Sequence, residues 1–114
     1  MPQIRRGQVW SVALDPTVGS EQAKMRPCVV VQRDAANNAS PGTIVCPITD
    51  AKRSMGSVIR VKVPKGEGGL IKDSVVQCDQ IRTVSHLRLR ELKGELERET
   101  MSLISRGLKE ILDI

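Results

Sequence analysis

The sequence contains no phenylalanine and no tyrosine, and Trp10 is its only tryptophan. Modules that grip single strands on stacked aromatic platforms need several rings, which excludes an ordinary RRM or a stacking-type OB module. Histidine is equally scarce, with His86 alone. Cys28, Cys46 and Cys78 are odd in number, lie 18 and 32 positions apart and form no C-x-x-C pair. A zinc site would need a very unusual ligand set, so neither a metal nor any other cofactor is expected. Each cysteine sits in a run of β-branched residues, where a small buried thiol is the expected reading. No stretch of about 18 apolar residues occurs, so no membrane association is expected. The opening Met1-Pro-Gln-Ile-Arg-Arg-Gly7 lacks the apolar core of a secretory signal, and the expected location is the cytoplasm.

What remains is a chain of 114 residues, 39% hydrophobic and 27% charged, which reads as one globular domain over 1–114 rather than a disordered segment. Folding at this length buries roughly 65% of the extended chain's surface, enough for a core without staples. The net charge of +5 is unevenly spread. Residues 1–90 carry 14 basic and 7 acidic side chains, whereas 91–114 carry 4 and 6. A basic body suits a polyanion partner reached through phosphate contacts, although simple solubility explains the charge equally well.

Composition changes type near residue 85. All 13 valines lie between Val9 and Val84, and seven of nine leucines lie from Leu87 onward. β-branched residues favour pleated surfaces and leucine favours helices, so strands are expected first and a helix last. The expected strands are Gln8–Leu14, Pro27–Gln32, Thr43–Ile48, Val58–Val63 and Ser74–Val84, the last bent in the middle. Pro64-Lys-Gly-Glu-Gly-Gly69 reads as a flexible connection without the P-loop pattern. Met101, Ile104, Leu108 and Ile111 recur at helical spacing, with Glu95, Glu97 and Glu99 near the helix start, where the dipole favours anions. Five short strands and a closing helix predict a mainly β fold, a small curled antiparallel sheet or barrel with the helix packed on it.

Two segments carry candidate chemistry. The long polar loop from Asp15 ends at Arg26-Pro27, where the proline excludes the helical region for Arg26. A guanidinium held at that junction can fork onto a phosphate, or can simply cap a strand end. The second segment is Cys46-Pro-Ile-Thr49-Asp50, a buried strand ending in a hydroxyl, with Lys52 and Arg53 following at once.

Together these segments resemble the MazF/PemK family of bacterial toxins. The matching text is Arg6-Gly-Gln-Val-Trp10, Leu14-Asp-Pro-Thr-Val-Gly-Ser-Glu-Gln22, Arg26-Pro-Cys-Val-Val-Val31, Pro47-Ile-Thr49 and Asp79-Gln-Ile-Arg-Thr-Val84, in the family's order and spacing. The resemblance implies an SH3-like (PemK-type) barrel with a C-terminal helix, acting as a homodimer. It implies a sequence-selective, metal-independent endoribonuclease that cuts single-stranded RNA, including mRNA, and so inhibits translation and growth. The RNA's 2′-OH attacks the adjacent phosphate, leaving a 2′,3′-cyclic phosphate and a 5′-OH. It also implies a cognate antitoxin whose acidic, disordered tail covers the RNA groove.

The family's catalytic arginine and threonine map onto Arg26 and Thr49. A positioned guanidinium and a hydroxyl are what a pentavalent, anionic transition state requires. Arginine is effectively always protonated, so Glu21 is the candidate general base. Ser20, Gln22, Lys24, Lys52, Arg53 and Gln80 are the residues expected to hold RNA. A two-histidine mechanism is excluded, and His86 reads as structural or surface. The family's loops often carry an aromatic that stacks on bases. Here only Trp10 is present, and its alternation with Val12 and Leu14 predicts burial, so stacking falls to Arg53 or to aliphatic contacts. Two rival functions are a gyrase-poisoning toxin of the same fold, which relies on a Trp-Gly-Ile type ending where this chain has Leu112-Asp-Ile114, and a non-catalytic SH3-like nucleic-acid-binding module.

Overall fold

A computed structural model describes residues 2–14, 25–52 and 54–114. Seven strands and two helices follow one another as β1 (Gln8–Ala13), β2 (Met25–Val30), α1 (Asp34–Ala39), β3 (Gly42–Asp50), β4 (Arg60–Val63), β5 (Ser74–Gln77), β6 (Arg82–Ser85), β7 (Leu89–Glu95) and α2 (Arg98–Leu112). The strands form one antiparallel sheet in the order β4-β5-β3-β2-β1-β7, with β6 also paired to β3. β1 pairs with β7 through two register shifts, between Val9 and Trp10 and between Ser11 and Val12. Such bulges bend a strand and curl the sheet toward a barrel.

The central strands are apolar on both faces because both faces are covered. On one side Val9, Val29, Cys46, Ile48, Val61 and Val76 pack with Ile104 of α2. On the other, Trp10, Val12, Cys28, Val30 and Val45 pack with Ile4, Val84 and Leu89. Trp10 is 1% exposed, and its indole N–H donates to Gln8 Oε1 at 2.9 Å, so the ring is core and not a base platform. All three cysteines are free and buried.

The expected fold class holds, with two more strands than the five anticipated. The Ser74–Val84 segment breaks at a 3-10 turn, Cys78–Gln80. Its halves pair with the two ends of β3, Ile48↔Val76 and Val45↔Arg82. The leucine-rich tail is not helical throughout: Leu89–Glu95 is β7, because its backbone supplies the second hydrogen-bonding edge of β1. Tertiary pairing outweighs leucine's modest helical preference. The helix therefore starts at Arg98 with Glu97 at its N-cap, and Glu95 stays in β7. Helix α1 was not anticipated. It is held by buried Asn37, whose amide accepts from the Thr43 hydroxyl at 2.6 Å and donates to the Gln32 carbonyl at 3.1 Å.

α2 packs closely at Gly107, where a Cβ would lie 2.6 Å from the Val58 carbonyl oxygen and 2.8 Å from Cys78 Sγ. Arg6 fastens the N-terminal segment to this helix, donating to Ser105 Oγ at 2.8 Å and to the Val31 carbonyl. None of the described helices is long and apolar enough to cross a membrane.

The 64–73 connection is seated rather than loose. Gly68 is buried against Leu96 and Val9, and a Cβ there would lie 2.6 Å from Leu96 Cδ2. A Cβ at Gly94 would meet the Gly68 backbone at 2.7 Å. Glycines read from sequence as a source of freedom instead allow backbone to lie on backbone.

Candidate active site

β2 and β3 run antiparallel with Cys28↔Pro47, Val29↔Cys46 and Val30↔Val45 as partners. Carried two residues further, this register aligns Arg26 with Thr49. Each position is also held from its other side, Arg26 by Val12 of β1 and Thr49 by Val75 of β5. Both residues are half-buried. They line one cavity of about 250 Å³ whose walls include Asp50, Leu70, Ile71 and Lys72. The guanidinium thus sits on a strand whose backbone is paired with β1 at Val12, a rigid mounting of the kind preorganised electrostatic stabilisation needs.

The electrostatics favour an anion. Arg26 and Lys72 bring positive charge to the cavity, and Asp50 is the one described carboxylate lining it. Lys72 Nζ lies 3.8 Å from Asp50 Oδ2, while Asp50 Oδ1 accepts from the Lys52 backbone N–H at 2.9 Å. Behind the site, Cys28 donates its thiol to the Arg26 carbonyl at 3.7 Å. Burial pushes that thiol up to about 12 against the opposing pull of the Arg82 and Arg26 guanidinium groups. Cys28 is therefore a neutral support for Arg26 and not a nucleophile.

Of the remaining candidates, Lys52 and Gln80 are exposed and line no part of this cavity. Gln80 instead hydrogen-bonds Asp79, whose carboxylate takes a two-pronged ion pair from Arg60 at 3.0 and 2.9 Å. These bonds hold the Asp79 carboxyl below its ordinary value and pin the Cys78–Gln80 turn to β4. Ser20, Glu21, Gln22, Lys24 and Arg53 lie outside the described residues. His86 ring nitrogen Nε2 lies 3.1 Å from the Gly42 carbonyl oxygen, away from the cavity. Sequence reasoning missed Ile71 and Lys72. The available signal was the Gly68-Gly69 pair just before them, which marked a close approach.

A larger cavity of about 400 Å³ opens beside α2, with Met55, Val58, Arg60, Lys62, Leu103 and Arg106 among its walls. It shares no residue with the Arg26–Thr49 cavity, so size does not make it the site. No group of three or more metal-ligating side chains occurs among the described residues.

A curled antiparallel sheet closed by one helix, with Arg26 and Thr49 lining one cavity beside Lys72, defines an SH3-like β protein with a cationic candidate site. The chain belongs to the PemK-like, MazF-like toxins of type II toxin–antitoxin systems, whose family model matches residues 5–112. It is 39% identical over 105 residues to the endoribonuclease MazF of Staphylococcus epidermidis, covering 92% of this chain and 88% of that protein. In fold it matches the MazF chain of a MazE–MazF structure from Deinococcus radiodurans, with a TM-score of 0.82, 23% identity and coverage of 100% and 99% of the two chains. It likewise matches an endoribonuclease in complex with its cognate antitoxin from a mycobacterial species, with a TM-score of 0.79, 22% identity and coverage of 97% and 96%.

Proposed function

We propose that this chain is the endoribonuclease toxin of a type II toxin–antitoxin pair. It cleaves single-stranded RNA, mRNA included, in a sequence-selective and metal-independent way. The observation that carries the reading is that Arg26 and Thr49, the residues matched to the family's catalytic pair by resemblance, line one cavity. The RNA 2′-OH attacks the adjacent phosphorus and the 5′-oxygen leaves, giving a 2′,3′-cyclic phosphate and a 5′-OH. Arg26 stabilises the equatorial oxygens of the phosphorane, and Thr49 donates a hydrogen bond to the same charge. Glu21, five positions before Arg26 in the chain, takes the 2′-OH proton.

The active form is a cytoplasmic homodimer, silenced by an antitoxin whose acidic tail competes with RNA for the basic surface. Relatives solved with their antitoxins support that partner. Incubating the purified chain with a long RNA in excess EDTA tests the reading. Cleavage should persist, and the fragments should accept label directly from polynucleotide kinase, as 5′-OH ends do. A Mg²⁺ requirement or 5′-phosphate ends would defeat the mechanism. Binding without cutting would leave a nucleic-acid module, and neither activity would leave the gyrase-directed alternative.

A further inference from the structure

One wall of the Arg26–Thr49 cavity is built from Leu70, Ile71 and Lys72, the end of the segment joining β4 to β5. Backbone bonds anchor this wall on both sides. Gly66 N–H donates to the Leu70 carbonyl at 2.8 Å, and Ser74 Oγ donates to the Lys72 carbonyl at 2.8 Å. Asp73 then joins two neighbours, its carboxylate accepting from Lys65 N–H at 2.8 Å and its carbonyl from Ala51 N–H at 2.9 Å. Leu70 is buried in the core at 7% exposure, whereas Ile71 stands 80% exposed beside it. A large apolar side chain is thus held in water, on a fixed backbone, next to a cationic cavity. The Lys72 side chain is 66% exposed, and among the described residues it pairs with Asp50 at 3.8 Å. An exposed pair at that distance is weak, so a phosphate can take the ammonium from it.

We propose that Ile71 and Lys72 form the substrate-selecting wall of this site, with Lys72 binding an RNA backbone phosphate and Ile71 packing against a base beside the scissile bond. The proposal rests on reading the cavity as an RNA site. Every base offers an apolar face, and this chain has no phenylalanine or tyrosine to meet it, so an exposed aliphatic beside the reacting pair supplies that contact. Asp50 acts in the opposite sense, holding Lys72 in the free protein and repelling phosphate.

The test uses the full chain, with a long natural RNA for cleavage and a short fluorescent 2′-O-methyl RNA of mixed sequence for binding. Lys72→Ala should raise KM roughly three- to tenfold, with the loss carried by KM rather than kcat, as for one charged contact. Its RNA affinity should lose about 0.7 of logarithmic salt slope, the share of one single-strand phosphate contact. Asp50→Asn should move KM the other way. Ile71→Ala should redistribute the cleaved sequences when all 5′-OH ends are sequenced. Ile71 is exposed, so this variant should fold normally, and circular dichroism checks that. Unchanged affinity and salt slope in Lys72→Ala, or an unchanged cut pattern and affinity in Ile71→Ala, would overturn the proposal. A wild-type chain that cut no RNA would defeat the nuclease reading instead, and the binding arm would still decide the wall.

Discussion

Gly69 lies so close to Lys93 of β7 that a Cβ built on it would overlap the Lys93 carbonyl. Its φ of +75° is also one that side chains rarely adopt. Gly66, three residues earlier, has φ +99° but nothing within 4 Å. Gly66→Ala should therefore show the conformational cost alone, about 1 kcal/mol. Gly69→Ala should cost distinctly more and should displace the Ile71–Lys72 wall. Thermal melts of both variants, with RNA affinity measured beside them, check the ranking. Equal melting temperatures would mean that the close approach contributes nothing.

Arg26→Ala and Thr49→Ala should each slow cleavage by two to three orders of magnitude, since losing one preorganised donor costs about 2.7–4 kcal/mol at the transition state. Neither side chain belongs to the two apolar clusters, so both variants should melt near the wild type. Lys52→Ala, outside the cavity, should weaken RNA binding without slowing turnover at saturation. Single-turnover kinetics separate these outcomes. Near-normal cleavage by Arg26→Ala would remove the basis of the assignment.

The Arg60 guanidinium holds the Asp79 carboxyl below its ordinary value of 3.8. A depressed carboxyl stabilises the fold above its unfolded value and stops doing so as pH falls through the folded one. The gap in stability between wild type and Asp79→Asn should thus be full at neutral pH and should close below pH 3.8. Arg60 is 39% exposed, which limits the gap to about 1 kcal/mol. Urea titrations at several pH values measure it. A gap that persisted in acid would mean packing, not charge, is responsible.

Cys28, Cys46 and Cys78 are each 0% exposed. Burial pushes the Cys28 thiol up to about 12, and a hydrogen bond with Cys78 together with burial pushes Cys46 up as well. Iodoacetamide should label the native chain at least about 100-fold more slowly than the unfolded chain, because all three sulfurs are buried away from the reagent and burial disfavours the reactive Cys28 thiolate. Mass spectrometry with and without guanidinium chloride reads this directly. Rapid native labelling at Cys28 would contradict the support role given to it behind Arg26.

The mainly β class, the burial of Trp10 and the closing helix around Ile104 were legible in the sequence because each follows from local periodicity and residue type. Arg26 and Thr49 were legible too, through motifs short enough to read in line. Their meeting was not, because they lie 23 positions apart and only the pairing of β2 with β3 brings them to one cavity. β7 was missed as a strand for a related reason: leucine's preference is local, whereas the hydrogen bonds of β1 come from about 80 residues away in the chain. The same limit hid Ile71 and Lys72. The Gly68-Gly69 pair before them reads as freedom in one dimension and becomes a tight seat once Leu96 and Lys93 press against it. The mainly β class, the closing helix and the Arg26 and Thr49 motifs depend on neighbours within a few residues, and so they could be read along the chain. The tertiary structure alone decided which of those side chains share a cavity, because strand register and backbone contact join residues that the chain keeps far apart.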